Sequence, residues 1–242
     1  LAVTLANLPK AQARYTEYLL QKIPPGVKTV LDVGCGTGVL MKHLLERGYQ
    51  VEGVCPSPML AEMARKRLDG RGPIHETTME GIDTGQTYDL LVFSESFQYI
   101  DPAISLRHGH AMLRPGGHLL LCDFFRTDAP GRSALSGGHR LSSFYRLLET
   151  QPFTVVLDDD ITARTAPNLT VVDGLLTDYA LPIRDSLAYY FRENHPRLGR
   201  LLGRLFRRRL EKLNFKYFSG ARNAENFSLF KSYRCMLLKK EG

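Results

Sequence analysis

At 242 residues, 43% of them hydrophobic and 24% charged, the chain has enough material for one substantial core. No apolar run approaches the roughly 18 residues that cross a bilayer, which argues against an integral membrane protein. Cys35, Cys55, Cys122 and Cys235 are scattered singly, so neither a CxxC metal pair nor a secreted disulfide framework is indicated, and reduced thiols in a cytoplasm fit best.

The net charge is +7, and part of it is concentrated near the C-terminus. Arg192, Arg197, Arg200, Arg204, Arg207, Arg208, Arg209, Lys212 and Lys216 are opposed there only by Glu193 and Glu211. In chain order, Tyr15, Leu19, Leu20 and Ile23 predict a helix over 11–23, stopped by Pro24-Pro25. Val30 to Val33 predicts a short buried strand, Gly34 to Gly38 a turn, and Val39 to Glu46 a helix ending before Gly48. A strand at Tyr49 to Cys55, a helix at Pro58 to Leu68, a weak strand near Ile74 to Thr77 and a strong one at Tyr88 to Phe93 follow. Next come a helix at Pro102 to Leu113, a turn at Arg114-Pro115-Gly116-Gly117 and a strand at His118 to Phe124.

Repeated strand–helix units with continuously apolar strands predict an α/β fold, a doubly wound and mostly parallel sheet with helices on both faces. Beyond Asp128 the reading is a loop, a helix at His139 to Glu149, a strand at Phe153 to Leu157, a mostly helical region to about Lys216, and a last strand near Phe227 to Leu238. The expected organisation is a single domain over 1–242. It has a helical cap over 1–27, a ligand-binding core over 28–127 and a helical insertion over 159–218 before the last strand.

Asp32-Val33-Gly34-Cys35-Gly36-Thr37-Gly38 follows the first strand and opens a helix, so its glycines let backbone approach a ligand closely. The spacing is GxGxG, not the GxGxxG of a dinucleotide site, and no Lys-Ser/Thr follows as in a phosphate-cradling loop. Val30 to Gly38 resembles motif I of the class I S-adenosylmethionine-dependent methyltransferases. Tyr88 to Ser94 and Leu113 to Leu119 are similar to that family's fourth- and fifth-strand motifs at the expected distances. The resemblance covers roughly residues 28–126 and extends to the sarcosine/dimethylglycine, tocopherol and sterol methyltransferases. It implies a Rossmann-like seven-stranded sheet and S-adenosylmethionine as cofactor, with Asp32, Gly34, Cys35, Gly36 and Gly38 holding its methionine end.

Two positions depart from the family pattern. Cys55, in Gly53-Val54-Cys55-Pro56-Ser57-Pro58-Met59, stands where the family carries an acidic residue on the ribose, and a thiol cannot accept from both hydroxyls. Thr78, in Thr77-Thr78-Met79-Glu80, stands where an Asp receives the adenine amine. Met59 and Met79 are candidates to sandwich the adenine or are core filler. Tyr15 is placed either over the cofactor or in the core.

Glu95, in Ser94-Glu95-Ser96-Phe97-Gln98-Tyr99, resembles the Glu of those relatives and is expected to orient a nucleophile, take its proton or steady a carbocation. The other reading is that it caps the following helix. His139, after Gly137-Gly138, is the candidate to reach an acceptor, and no metal-ligand spacing is present, so no metal is expected. Phe153 to Thr162 with Pro167-Asn168-Leu169 looks like the sixth strand and insertion of the same relatives, where insertions wall the acceptor pocket. Within it Leu198, Leu201, Leu202, Leu205, Phe206, Leu210 and Leu213 predict a basic amphipathic helix. That helix packs on the domain, lies on an anionic membrane surface and admits a lipid acceptor, or meets nucleic acid, the last being disfavoured. The neighbouring aromatics favour a bulky apolar acceptor, to which Tyr217 would donate a hydrogen bond. The expected function is methyl transfer to a small, apolar or lipid-like acceptor by an enzyme that is cytoplasmic, either free or membrane-peripheral; a non-catalytic binding protein or an RNA methyltransferase is the alternative.

Overall fold

The computed structural model describes residues 4–195 and 204–241. The chain divides into two compact units. One comprises Pro9–Asp128, Gly137–Ile161 and Ser232–Gly242, and the other the described residues of Leu1–Leu8, Ala129–Ser136 and Thr162–Lys231. The second unit takes in the described residues of the expected insertion from Thr162 on.

The first unit carries a seven-stranded sheet of order β3-β2-β1-β4-β5-β7-β6. Its strands are β1 (Thr29–Val33), β2 (Gln50–Val54), β3 (Ile74–His75), β4 (Tyr88–Ser94), β5 (Leu113–Arg126), β6 (Phe153–Asp160) and β7 (Lys231–Lys240). β1 pairs in parallel with β2 and β4, β2 with β3, and β4 with β5, while β6 is antiparallel to β7. The central strands are buried almost throughout, as apolar runs such as Leu90-Leu91-Val92-Phe93 require of a sheet covered on both faces.

Helices α1 (Leu8–Leu20), α2 (Val39–Glu46), α3 (Pro58–Leu68), α4 (Pro102–Met112) and α5 (Leu141–Leu148) belong to this sheet's sequence order. The first begins three residues before the predicted start, because Pro9 suits a first helical turn, where its missing N–H costs nothing. Ser57 caps α3 through Leu60 N, and Asp101 caps α4 through Ala103 N and Ile104 N; each is followed by a proline at the first helical position. The expected turn at 114–117 is absorbed into β5 as a bulge, since Tyr88 pairs with Leu113 but Leu90 pairs with His118.

The last predicted strand needs correction. Residues Ala224–Phe230 form a helix, capped by Asn223 Oδ1 accepting from Asn226 N at 2.8 Å, and β7 starts only at Lys231. β6 likewise runs past Leu157 to Asp160. Behind the end of β4, Phe93, Phe97, Phe125 and Phe144 form an aromatic cluster with centroids 5.1–6.1 Å apart. All four are at most 2% exposed, and each contributes roughly 1.5–3 kcal/mol by leaving water.

The second unit is helical: α6 (Thr162–Thr165), α7 (Asn168–Leu175), a π turn (Leu176–Ala180), α8 (Leu181–Asn194), α9 (Arg207–Tyr217) and α10 (Ala224–Phe230). Arg197, Leu198, Arg200, Leu201 and Leu202 of the expected amphipathic helix lie outside the described residues, as does the side chain of Arg192. Its described part comprises residues 204–206 and α9; Leu205, just before α9, is exposed at 71%, and Leu210 and Leu213 within it at 51% and 49%. Among the described residues no helix is long and apolar enough to cross a membrane, and no cluster of His, Cys, Asp or Glu could hold a metal ion.

Candidate active site

The parallel strands β1, β2 and β4 end at one edge of the sheet, the place where folds of this kind bind ligands. After β1, Gly34, Gly36 and Gly38 have φ of 80°, 54° and 75°, left-handed values that favour glycine. Their surroundings differ. A Cβ at Gly34 would stand 2.4 Å from Ser96 Cβ, one at Gly38 3.1 Å from Ala64 Cβ, and one at Gly36 would meet nothing within 4 Å. Gly34 and Gly38 thus permit close packing, whereas Gly36 keeps backbone bare toward open space.

The amides of Gly34 and Cys35 donate to Val54 O, and that of Gly38 to Cys35 O. Among the described residues those of Gly36 and Thr37 have no such acceptor and remain as the loop's donors. Asp32 is 2% exposed, and its Oδ2 has no hydrogen-bond partner. Burial pushes this carboxyl up to about 7. Burial also pushes the Cys35 thiol up, with Asp32 and Cys55 adding to the effect. Cys55, at the end of β2, is 2% exposed, and its Sγ approaches Gly36 O at 3.8 Å and Ser57 O at 3.6 Å.

At the end of β4 a second group converges. Glu95 has φ of 57°, its amide donates to Cys122 O, and its Oε1 accepts from Tyr233 Oη at 2.7 Å. Tyr15 Oη lies 3.2 Å from Ser94 Oγ and 3.4 Å from Tyr233 Oη. Glu95 caps no helix, since Asp101 performs that role for α4. Asp123 accepts from the amides of Gln98 and Phe124 and from the Gln98 side chain, which fixes the loop after Ser96.

Asp32, Cys35, Gly36 and Cys55 therefore come together, and so do Tyr15, Ser94 and Glu95. Other expected residues do not join them. Met79 is 1% exposed inside the core cluster, so it presents no face on which a ring could stack, whereas Met59 is 69% exposed and Pro56 is exposed. Thr78 and Glu80 are exposed beyond β3, the Thr78 carbonyl accepting from Gly81 N. His139 is held by its own surroundings: Nε2 lies 3.1 Å from Phe97 O and the ring packs edge-on against Phe97 at 5.7 Å. Tyr217 belongs to the helical unit, with Lys216 and Arg222 over its ring at 5.1 and 5.5 Å.

Sequence reading missed Tyr233, Ser96 and Asp123. Ser96 Oγ donates to Val33 O and so ties the end of β4 to the end of β1. A polar residue two places after the family-like fourth strand was a signal for Ser96; a lone tyrosine in an apolar strand was none for Tyr233.

Comparison with known proteins follows the same lines. An uncharacterised methyltransferase of Mycobacterium tuberculosis is 32% identical over 97 residues, 40% of this chain and 40% of that protein. A ubiquinone biosynthesis O-methyltransferase of Xanthomonas axonopodis pv. citri is 27% identical over 132 residues, 52% of this chain and 55% of that one. The chain thus spans about half the length of these curated relatives. The crystal structure of a protein described as a sarcosine dimethylglycine methyltransferase, from Galdieria sulphuraria, superimposes with a TM-score of 0.71 at 15% identity, covering 96% of this chain and 88% of that chain. A family model described as a methyltransferase domain matches residues 5–217, so the chain that carries this bare glycine loop and buried aspartate belongs to the methyltransferase domain family.

Proposed function

We propose that the protein transfers a methyl group from S-adenosylmethionine to a small, apolar or lipid-like acceptor. The observation that carries this reading is Asp32: a carboxylate oxygen buried without a partner, beside a glycine loop open at Gly36. The residues present fit the cofactor's methionine end. An ammonium supplies the cation that Asp32 Oδ2 lacks, and the amides of Gly36 and Thr37 suit a carboxylate.

When bound, that cofactor supplies a methyl group already activated by a sulfonium. Cys55 offers a single weak donor at the end of β2, so the grip on a ribose is weaker than a carboxylate would give. Glu95 presents an exposed carboxylate at the end of β4, able to orient an acceptor and take a proton. Proximity and alignment supply the rest of the rate, because in-line displacement on a sulfonium needs little more.

A lipid-like acceptor, with peripheral contact to an anionic membrane, is favoured by the helical unit's exposed apolar residues Ile183, Leu187, Leu210 and Leu213 beside Arg207, Arg208, Arg209 and Lys212. The test is incubation with methyl-labelled S-adenosylmethionine and cell extracts fractionated into lipid, small-molecule and RNA pools. Label in the lipid or small-molecule pool is expected; label confined to RNA replaces the acceptor class, and calorimetric cofactor binding without label in any pool supports a non-catalytic role.

A further inference from the structure

The cluster at the end of β4 gives work to a residue that no motif marks. Glu95 leaves the strand in a left-handed conformation that is strained for a non-glycine residue, and it is held there by the hydrogen bond its amide donates to Cys122 O at 2.9 Å. Oε1 accepts from Tyr233 at 2.7 Å, a short, charge-assisted bond. Oε2 accepts no hydrogen bond among the described residues, and the side chain is exposed.

Tyr233 has no freedom to turn away. It is 5% exposed, with its ring edge-on to Tyr15 at 6.4 Å and tilted against Phe124 at 6.4 Å. Burial, with the charge of Glu95 adding, pushes the Tyr15 and Tyr233 phenols well above their ordinary value. Both therefore keep their protons at neutral pH, and Glu95 is the group of this cluster that can receive one. A phenol has one proton to donate, and the 2.7 Å contact to a carboxylate outcompetes the 3.4 Å approach of the Tyr15 hydroxyl.

We propose that Tyr233 is a positioning residue that locks Glu95 as a one-sided proton acceptor, and that the methyl-receiving atom of the acceptor is a proton-bearing oxygen or nitrogen rather than an alkene carbon. The proposal rests on the methyl-transfer reading above. A carboxylate that steadies a carbocation works by its undivided negative charge, which a donor on one oxygen draws away. With one oxygen occupied and the other accepting no hydrogen bond among the described residues, the carboxylate instead offers one directed lone pair to one O–H or N–H. In the step itself the acceptor's O–H or N–H proton passes to Oε2. The electron pair released on oxygen or nitrogen forms the new bond to the methyl carbon, and the carbon–sulfur pair returns to sulfur, leaving a neutral thioether. Glu95 is exposed and passes the proton to water.

The experiment compares wild type with Tyr233→Phe, which keeps the ring and removes the donor. In protein labelled with ¹³C at glutamate carboxyls, the Glu95 carboxyl resonance is expected to move in the variant, because a hydrogen-bond donor to one of its oxygens has been lost. Transfer from methyl-labelled S-adenosylmethionine to 4-nitrocatechol or phenethylamine is expected to lose about ten-fold or more in kcat. The loss should fall on kcat, and the KM for cofactor should hold. An unchanged Glu95 resonance overturns the role of Tyr233, whatever the activity. Cofactor-bound wild type that methylates limonene, or neither of the other two probes, overturns the acceptor class. Failure to bind cofactor at all, read by calorimetry, sinks the methyl-transfer reading instead and leaves the carboxyl resonance to judge Tyr233 on its own.

Discussion

Gly34 and Ser96 set each other's identity. The hydroxyl of Ser96 reaches Val33 O across the site, and that position brings its Cβ to within 2.4 Å of where a Cβ on Gly34 would be. Gly34→Ala meets this clash and a φ of 80° together, so its stability is expected to fall by about 2–4 kcal/mol in denaturant unfolding. Ser96→Gly removes the clashing atom at the cost of the bond to Val33. In the double variant the two losses should add up to less than their sum, because only backbone strain of about 1 kcal/mol remains specific to the alanine. Strict additivity in that cycle would show that Ser96 is not what excludes a side chain at position 34. The glycine spacing was legible in the sequence as a close approach of backbone to ligand. What stands opposite each glycine was not, since Gly34 answers to Ser96, Gly38 to Ala64 and only Gly36 to open space.

Among the elements, the β6–β7 pair shows where sequence pattern loses its grip. The run Asp158-Asp159-Asp160 reads as the end of a strand, yet β6 continues through it. Each carboxylate has a partner: Asp158 the Arg234 guanidinium and the Tyr145 hydroxyl, Asp159 the Tyr18 hydroxyl at 2.8 Å, and Asp160 Arg234 at 2.9 Å and Ser232 at 3.2 Å. All but Asp158 with Tyr145 are contacts between residues at least 70 positions apart, which no local window contains. Phe227 and Leu229 misled for the opposite reason, because a short apolar alternation fits a strand and one face of a helix alike, and the Asn223 cap settles it. The parallel core was legible from its continuous apolar runs, with proline marking the starts of α3 and α4. Arg234→Met should therefore do more than a surface ion pair would. It leaves Asp158, whose side chain is 24% exposed, without its cation, and a loss of about 1–3 kcal/mol is expected. Amide exchange should quicken along residues 157–160 before it does in β1 or β4; uniform quickening, or none, would count against this local anchor.

At the scale of the whole molecule, two buried carboxyls tie the folding equilibrium to pH. Burial raises Asp32 to about 7, and raises Asp123 to about 6 against the amides of Gln98 and Phe124 that pull the other way. For a carboxyl whose folded value lies above its unfolded one, the folded state binds the extra proton. Its contribution is complete below the ordinary carboxylate range and is lost as pH rises through the folded value. The cofactor-free protein is therefore expected to lose stability as pH climbs from about 4 to about 7. Asp89 acts in the opposite sense below that window: burial pushes it up, but the Thr29 and Lys28 amides, the Thr29 hydroxyl and Arg114 outweigh burial and hold it low. Asp32→Asn isolates one group, and thermal unfolding of that variant should show a flatter decline over the same range. An ammonium placed against Asp32 Oδ2 favours the charged carboxylate, so S-adenosylmethionine should stabilise wild type more strongly as pH rises toward neutrality, and the variant hardly at all. If the variant keeps both the decline and the cofactor's pH-dependent stabilisation, the orphan oxygen of Asp32 is neither the titrating group nor the cofactor's anchor.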